Sequence, residues 1–74
     1  MYYWTASNNS SFLNGRRNAE TMLSAVRDAR SYLRNELYGD GTISYYSSED
    51  DDTPIRTDEK TIFTNNKWET RTEF

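Results

Sequence analysis

The feature that most constrains the fold of this chain is one long periodic stretch, Arg16 to Tyr38. Its apolar residues are Ala19, Met22, Leu23, Val26, Ala29, Leu33 and Leu37, at the intervals that stack side chains on one side of a helical repeat. Arg17, Glu20, Ser24, Arg27, Asp28, Ser31, Arg34 and Asn35 fill the gaps. The stretch therefore reads as a single amphipathic helix with one face to bury and one to leave in water. Gly39 can take the left-handed conformation that closes a last turn, and Asp40-Gly41 behind it favours a chain reversal. At the other end Asn14 or Asn18 can accept hydrogen bonds from the first free amides, with Phe12 or Leu13 folding over as a staple; Asn14 fits better.

Such a helix needs a surface to lie on, and the flanking segments supply strands. Tyr2 to Ser7 alternates Tyr2, Trp4 and Ala6 with Tyr3, Thr5 and Ser7, and its aromatic and β-branched content suits a strand with the first set inward. Asn8 to Ser11 is polar and aperiodic, hence a loop. Thr42 to Ser48 alternates again, with Ile43 and Tyr45 on one face and Thr42, Ser44 and Tyr46 on the other. Four acids and Thr53-Pro54 then interrupt the pattern, so residues 49–60 read as an excursion from which Ile55 can reach the core. Thr61 to Thr64 and Lys67 to Phe74 flank Asn65-Asn66, whose residues tolerate the positive φ of a tight hairpin. The last segment puts Trp68, Thr70, Thr72 and Phe74 on an inward face and Lys67, Glu69, Arg71 and Glu73 on a charged outward one. A sheet with a charged face is covered on one side only.

The expectation is an α+β fold, a single domain over residues 1–74, in which one amphipathic helix packs on one face of a small antiparallel sheet of three to four strands in the order β-α-β-β. A right-handed crossover would make the first two strands parallel, with the last strand between them.

A chain of 74 residues buries only about 60% of its unfolded surface. With no cysteine to staple it, a core drawn from the chain's eleven aromatic residues, two Trp, six Tyr and three Phe, is expected. No leader and no apolar run of membrane-spanning length is present in the sequence, so a cytoplasmic location without membrane contact is expected. Asn8-Asn9-Ser10 and Asn9-Ser10-Ser11 fit the glycosylation pattern but read more simply as polar loop.

The absence of histidine and cysteine removes the Ser-His-Asp and Cys-His arrangements, the commonest zinc ligands and the usual proton shuttle. Carboxylates tuned for acid catalysis need an apolar pocket, whereas Glu49, Asp50, Asp51 and Asp52 follow one another on a polar loop. The same run has neither alternating ligand positions nor a turning glycine, so a calcium site is not expected. Gly39-Asp40-Gly41 follows a helix rather than preceding one, the reverse of what phosphate binding requires. No enzyme activity, cofactor or metal is expected, and no motif is specific enough to name a family.

Charge carries the remaining information. Residues 1–38 hold five arginines against Glu20, Asp28 and Glu36, a balance of +2, while residues 39–74 hold four cations against nine acids, a balance of −5. An acidic half attracts basic partners and repels phosphates. The chain accordingly reads as a small acidic, non-catalytic protein-binding module, with Glu49, Asp50, Asp51, Asp52, Asp58 and Glu59 imitating phosphates and Tyr3 and Tyr46 adding aromatic contact area. Its expected partner is a larger nucleic-acid-handling enzyme or complex with a basic groove. Phage-encoded anti-CRISPR and anti-restriction inhibitors are comparable in size and charge, by class and not by residue. The alternatives are a nucleic-acid-binding accessory protein using Arg16, Arg17, Arg27, Arg30 and Arg34 with Tyr3, Tyr46 and Tyr45 as an open aromatic face, or a structural subunit of an assembly.

Overall fold

Tyr2 to Ser7 forms the strand that its alternation predicts. The computed structural model describes residues 1–72; Phe74, expected to point inward, and Glu73 lie outside the described residues. Elements run in the order β1 (Tyr2–Ser7), β2 (Arg17–Ala19), α1 (Met22–Glu36), β3 (Gly41–Tyr46), β4 (Arg56–Lys60) and β5 (Glu69–Thr72). They build one sheet in the order β2-β1-β3-β4-β5, with every neighbouring pair antiparallel. The class is α+β with a single helix on an antiparallel sheet, as expected. The sheet has five strands rather than three or four, and the order is β-β-α-β-β-β.

Both surplus strands come from segments assigned otherwise. Residues 17–19 do not begin the helix but pair with Tyr2–Trp4 as β2, which places Ala19 in the core. Ala19 satisfied the helical spacing, and a three-residue strand is too short to show a period of its own, so periodicity misled here. The helix starts instead at Thr21, whose Oγ1 accepts from the Ser24 amide (3.1 Å) while Ser24 Oγ accepts from the Thr21 amide (3.3 Å). That reciprocal cap satisfies two otherwise unpaired donors and displaces both asparagines. Because β2 carries the chain back along β1 before α1 returns, β3 runs antiparallel to β1, and the expected parallel crossover does not occur.

Residues 56–60, expected as part of the excursion, form β4 between β3 and β5. The last strand is therefore an exposed edge and not the centre of the sheet. Thr61 to Thr64 is no strand either: Ile62–Thr64 makes a 3₁₀ turn, capped at Thr61, and Asn65 and Asn66 adopt the positive φ expected of them (57° and 59°).

The core lies between α1 and the inner sheet face. Trp4 and Ala6 from β1, Ile43 and Tyr45 from β3, and Ala25, Ala29 and Leu33 from α1, with Leu37 at its end, are essentially excluded from water. The inward face expected for β1 is the observed one, and on β3 it is the Ile43 and Tyr45 face that is buried. On the helix the buried row includes Ala25, and Leu23 points to solvent. Two alanines at the centre of that row let the helix backbone approach the sheet around the bulky Trp4. Gly41 on β3 lies so close to its neighbours that an added Cβ would come 2.5 Å from Ser7 O on β1 and 3.2 Å from Leu33 Cδ1. Its φ of 145° also suits glycine alone. At the helix C-terminus Leu37 and Gly39 both donate to Leu33 O (3.1 and 3.0 Å), with Tyr38 and Gly39 left-handed. Among the described residues no helix is long and apolar enough to cross a membrane.

Candidate binding surface

Three places in the fold now hold the six acids that the sequence suggests as one surface. Glu49, Asp50, Asp51 and Asp52 stand on the β3–β4 loop, and all four are exposed. The loop is fastened at both ends. The Ile55 amide donates to Tyr45 O (2.7 Å), and Ile55 packs against the core as expected. At the start of the loop Arg16, from the segment before β2, donates through one guanidinium nitrogen to Ser48 O (3.1 Å) and Glu49 O (2.9 Å). The guanidinium carbon sits 3.5 Å from the Tyr46 ring centroid, a cation–π contact that fixes the arginine's plane. Ser47 Oγ adds a hydrogen bond to Asp51 Oδ2 (3.2 Å).

Tyr3 and Tyr46 are brought together with this loop. They are opposed in the β1–β3 register, on the sheet face away from α1, and both are half-buried. Tyr45 does not join them. It lies on the helix side and is fully buried, so the aromatic row is two rings wide.

Asp58 is the clearest correction. Its side chain faces α1 and has no solvent exposure, because the strand periodicity of β4 points it inward. Tyr45 donates to Oδ2 (3.0 Å), Thr70 to Oδ1 (2.8 Å), and Arg56 to both oxygens (2.9 and 3.2 Å). Arg30 reaches Oδ2 from α1 at 3.2 Å. Burial alone would raise the pKa of this carboxyl, but the hydrogen bonds from Arg56, Thr70 and Tyr45, with the Arg56 charge, outweigh it and hold Asp58 below the ordinary carboxylate value. Burial, and then the neighbouring carboxylate, pushes the Tyr45 hydroxyl well above the usual tyrosine range. The pair is locked as carboxylate acceptor and phenol donor. Asp58 is thus a structural tie between α1, β3, β4 and β5, and it cannot meet a partner.

Glu59 faces the other way, opposite Thr42 and Glu69 in register, and accepts from Thr61 Oγ1 (3.2 Å). Thr42 and Tyr46 are four positions apart on β3, so Glu59 stands about 13 Å from the acidic loop along the strand direction. It belongs to the opposite end of the sheet.

The arginines are likewise divided. Only Arg27, Arg30 and Arg34 are helical. Arg30 is committed to Asp58 and stacks 4.5 Å from the Trp68 ring centroid. Arg17 lies over Tyr32 and Trp4 at 4.9 and 5.8 Å. Arg27 and Arg34 remain exposed.

Among the described residues no three His, Cys, Asp or Glu side chains gather into a metal-holding group. The contribution of Arg16 escaped the sequence reading because it joins segments more than thirty residues apart. The Asp58 network escaped it because Arg56-Thr57-Asp58-Glu59-Lys60 is polar on both faces and shows no contrast to read as a strand. No protein family model, curated protein or solved structure matches this chain.

Proposed function

We propose that this protein is a non-catalytic binding module whose acidic β3–β4 loop, flanked by Tyr3 and Tyr46, occupies the basic nucleic-acid-binding groove of a larger protein and so inhibits it. The observation that carries the reading is Arg16: two hydrogen bonds to the loop backbone, made from a guanidinium seated on Tyr46, hold the base of the loop in place. An anchored loop loses less conformational entropy on docking than a free one, and Pro54 restricts it further. Because Arg16 satisfies backbone carbonyls and not the acid side chains, the four carboxylates keep their charge available to a partner. Charge of one sign on a fixed frame steers encounter with a basic groove and selects against nucleic acid. Asp58 has no part in this surface and Glu59 is remote from it. The acidic inhibitors of nucleic-acid-handling machines, anti-CRISPR and anti-restriction proteins among them, offer a comparison of class alone.

Affinity capture from a lysate of the source cell tests the proposal, using as baits the wild-type protein and a variant with Glu49→Gln, Asp50→Asn, Asp51→Asn and Asp52→Asn. The wild-type bait should retain a nucleic-acid-handling protein after nuclease treatment, release it as salt rises above about 0.15 M, and lose it in the variant. Retention that requires intact nucleic acid and disappears with Arg27→Glu and Arg34→Glu would favour the nucleic-acid-binding alternative instead.

A further inference from the structure

The end of the sheet remote from the acidic loop displays large apolar side chains with no cover. Ile62 and Phe63, adjacent in the β4–β5 connection, are 76% and 90% exposed, and Tyr38, in the turn after α1 at the same end, is 91% exposed. These side chains are not on a slack loop. Thr61 Oγ1 accepts from the Phe63 amide (3.1 Å), Thr64 Oγ1 accepts from the Thr61 amide (3.0 Å) and donates back to Thr61 O (3.0 Å), and the Asn66 amide closes on Thr61 O (2.8 Å). The turn is braced by hydrogen bonds from within while its two apolar side chains contribute nothing to the core. Tyr38 is held at a φ of 60°, a left-handed conformation that non-glycine residues rarely adopt.

Ile62 and Phe63 form one wall of a cavity of about 350 Å³, whose other walls come from the Asn8 loop and from Asp40 and Gly41, with Glu59 at its sheet side. Its two ionised residues are both acids, and no cation lines it. Each carboxylate uses one oxygen for a fold contact, Asp40 Oδ1 accepting from Asn8 Nδ2 (3.4 Å) and Glu59 Oε1 from Thr61 Oγ1 (3.2 Å). The second oxygen of each remains for a ligand.

We infer that this cavity is a second docking surface, which takes a segment of a protein partner carrying an arginine or lysine beside an apolar side chain. The cation would sit between Asp40 and Glu59, and the apolar side chain against Ile62 and Phe63. Arginine is enriched in binding hot spots, which cluster in well-packed pockets closed off from water. Charge selects this occupant over the others. A second copy pairing this surface with itself would bring four carboxylates together without a cation, and nucleic acid would place its phosphates against them. The inference stands apart from the proposal for the acidic loop, because the two surfaces are at opposite ends of β3 and share no residue.

The test uses isotope-labelled protein titrated with the capped peptide Arg-Leu-Arg-Leu, and with Glu-Leu-Glu-Leu as the control. The basic peptide should give saturable amide shifts at Asn8–Ser10, Asp40–Thr42 and Glu59–Phe63 with a dissociation constant below about 1 mM. Phe63→Ser should weaken it about tenfold or more, Glu59→Gln about threefold, and both variants should melt as the wild type does since neither side chain supports the core. Shifts confined to Ser47–Asp52, equal shifts with the acidic peptide, indifference to Phe63→Ser, or no saturation would each overturn the inference. The first of these would leave the acidic-loop proposal untouched.

Discussion

Asp58 and the run from Glu49 to Asp52 are chemically the same and close in sequence, yet the fold uses them in opposite ways. Asp58 is withdrawn from water and accepts from four side chains on four elements. The loop acids stand in water, and Arg16 holds the backbone beneath them rather than their carboxylates. A buried carboxylate is tolerated only if its partners replace the lost hydration, and that leaves none of its charge for a partner. An exposed carboxylate contributes little to the fold and keeps its field. The chain therefore separates the acid that specifies structure from the acids that can specify a partner, and each side of that division can be perturbed by itself.

The largest effect expected is from Asp58→Ala. It leaves two guanidiniums and the Tyr45 hydroxyl facing a vacancy, and breaking a buried ion pair from one side costs about 3–5 kcal/mol. The lower end applies, because the Arg30 and Arg56 side chains retain 35% and 22% of their exposure and recover some hydration. In a domain of this size that loss approaches the whole folding free energy. Urea denaturation measures it, and a midpoint within error of the wild type would mean that the network is ornamental.

Acid titration sharpens the same contrast. The folded pKa of Asp58 lies below its unfolded value of 3.8, so its contribution is complete above that pH and disappears as the pH falls through the folded value. Stability should accordingly drop below about pH 4, and Asp58→Asn should flatten that drop while lowering the plateau at neutral pH. A wild-type and variant pair whose difference stays constant from pH 7 to about pH 2 would contradict the assigned direction.

The same two regions show why the sequence was legible in some places and not in others. Where apolar and polar residues contrast, as in Tyr2 to Ser7 and the stripe from Ala29 to Leu37, the inward face could be read and is the one observed. Gly39 and Asn65-Asn66 were legible because few residues accept positive φ. Contrast vanishes in β4, where Asp58 is flanked by charge on both faces, and its burial follows from partners contributed by distant elements. β2 is only three residues long, too short for any period, and Ala19 fitted the helical spacing. At the candidate surface, exposure of Glu49 to Asp52 was legible from composition, but the anchoring by Arg16 and the separation of Glu59 depend on register, which the sequence does not display.

A smaller effect is expected at the junction of the two regimes. Arg16→Ala removes two side-chain-to-backbone hydrogen bonds near the surface and a cation–π contact, together about 1 kcal/mol after solvent competition. Its more telling readout is hydrogen exchange. Amides of Ser47 to Asp52 should exchange faster in the variant while those of β1 and β3 are unchanged. Unchanged exchange in the loop would show that Arg16 does not hold it, and would remove the main support for a pre-formed acidic surface.

The smallest effect on the fold should come from neutralising all four loop acids to amides, and that smallness is the point. No arginine or lysine pairs with these side chains among the described residues, and their one side-chain hydrogen bond, Ser47 Oγ to Asp51 Oδ2, survives with an amide oxygen as acceptor. Removing four like charges from adjacent positions also relieves mutual repulsion, so the change in unfolding free energy should stay within about 0.5 kcal/mol of zero. Salt sharpens the expectation: raising it screens the repulsion in the wild type and should bring the two melting curves together. The variant would then be folded, equally stable and altered only in its field, which makes lost partner capture attributable to charge. If it were instead destabilised by 2 kcal/mol or more, on the scale expected of the Asp58 network, the loop acids would be part of the fold's own electrostatics and the division between structural and recognition acids would fail.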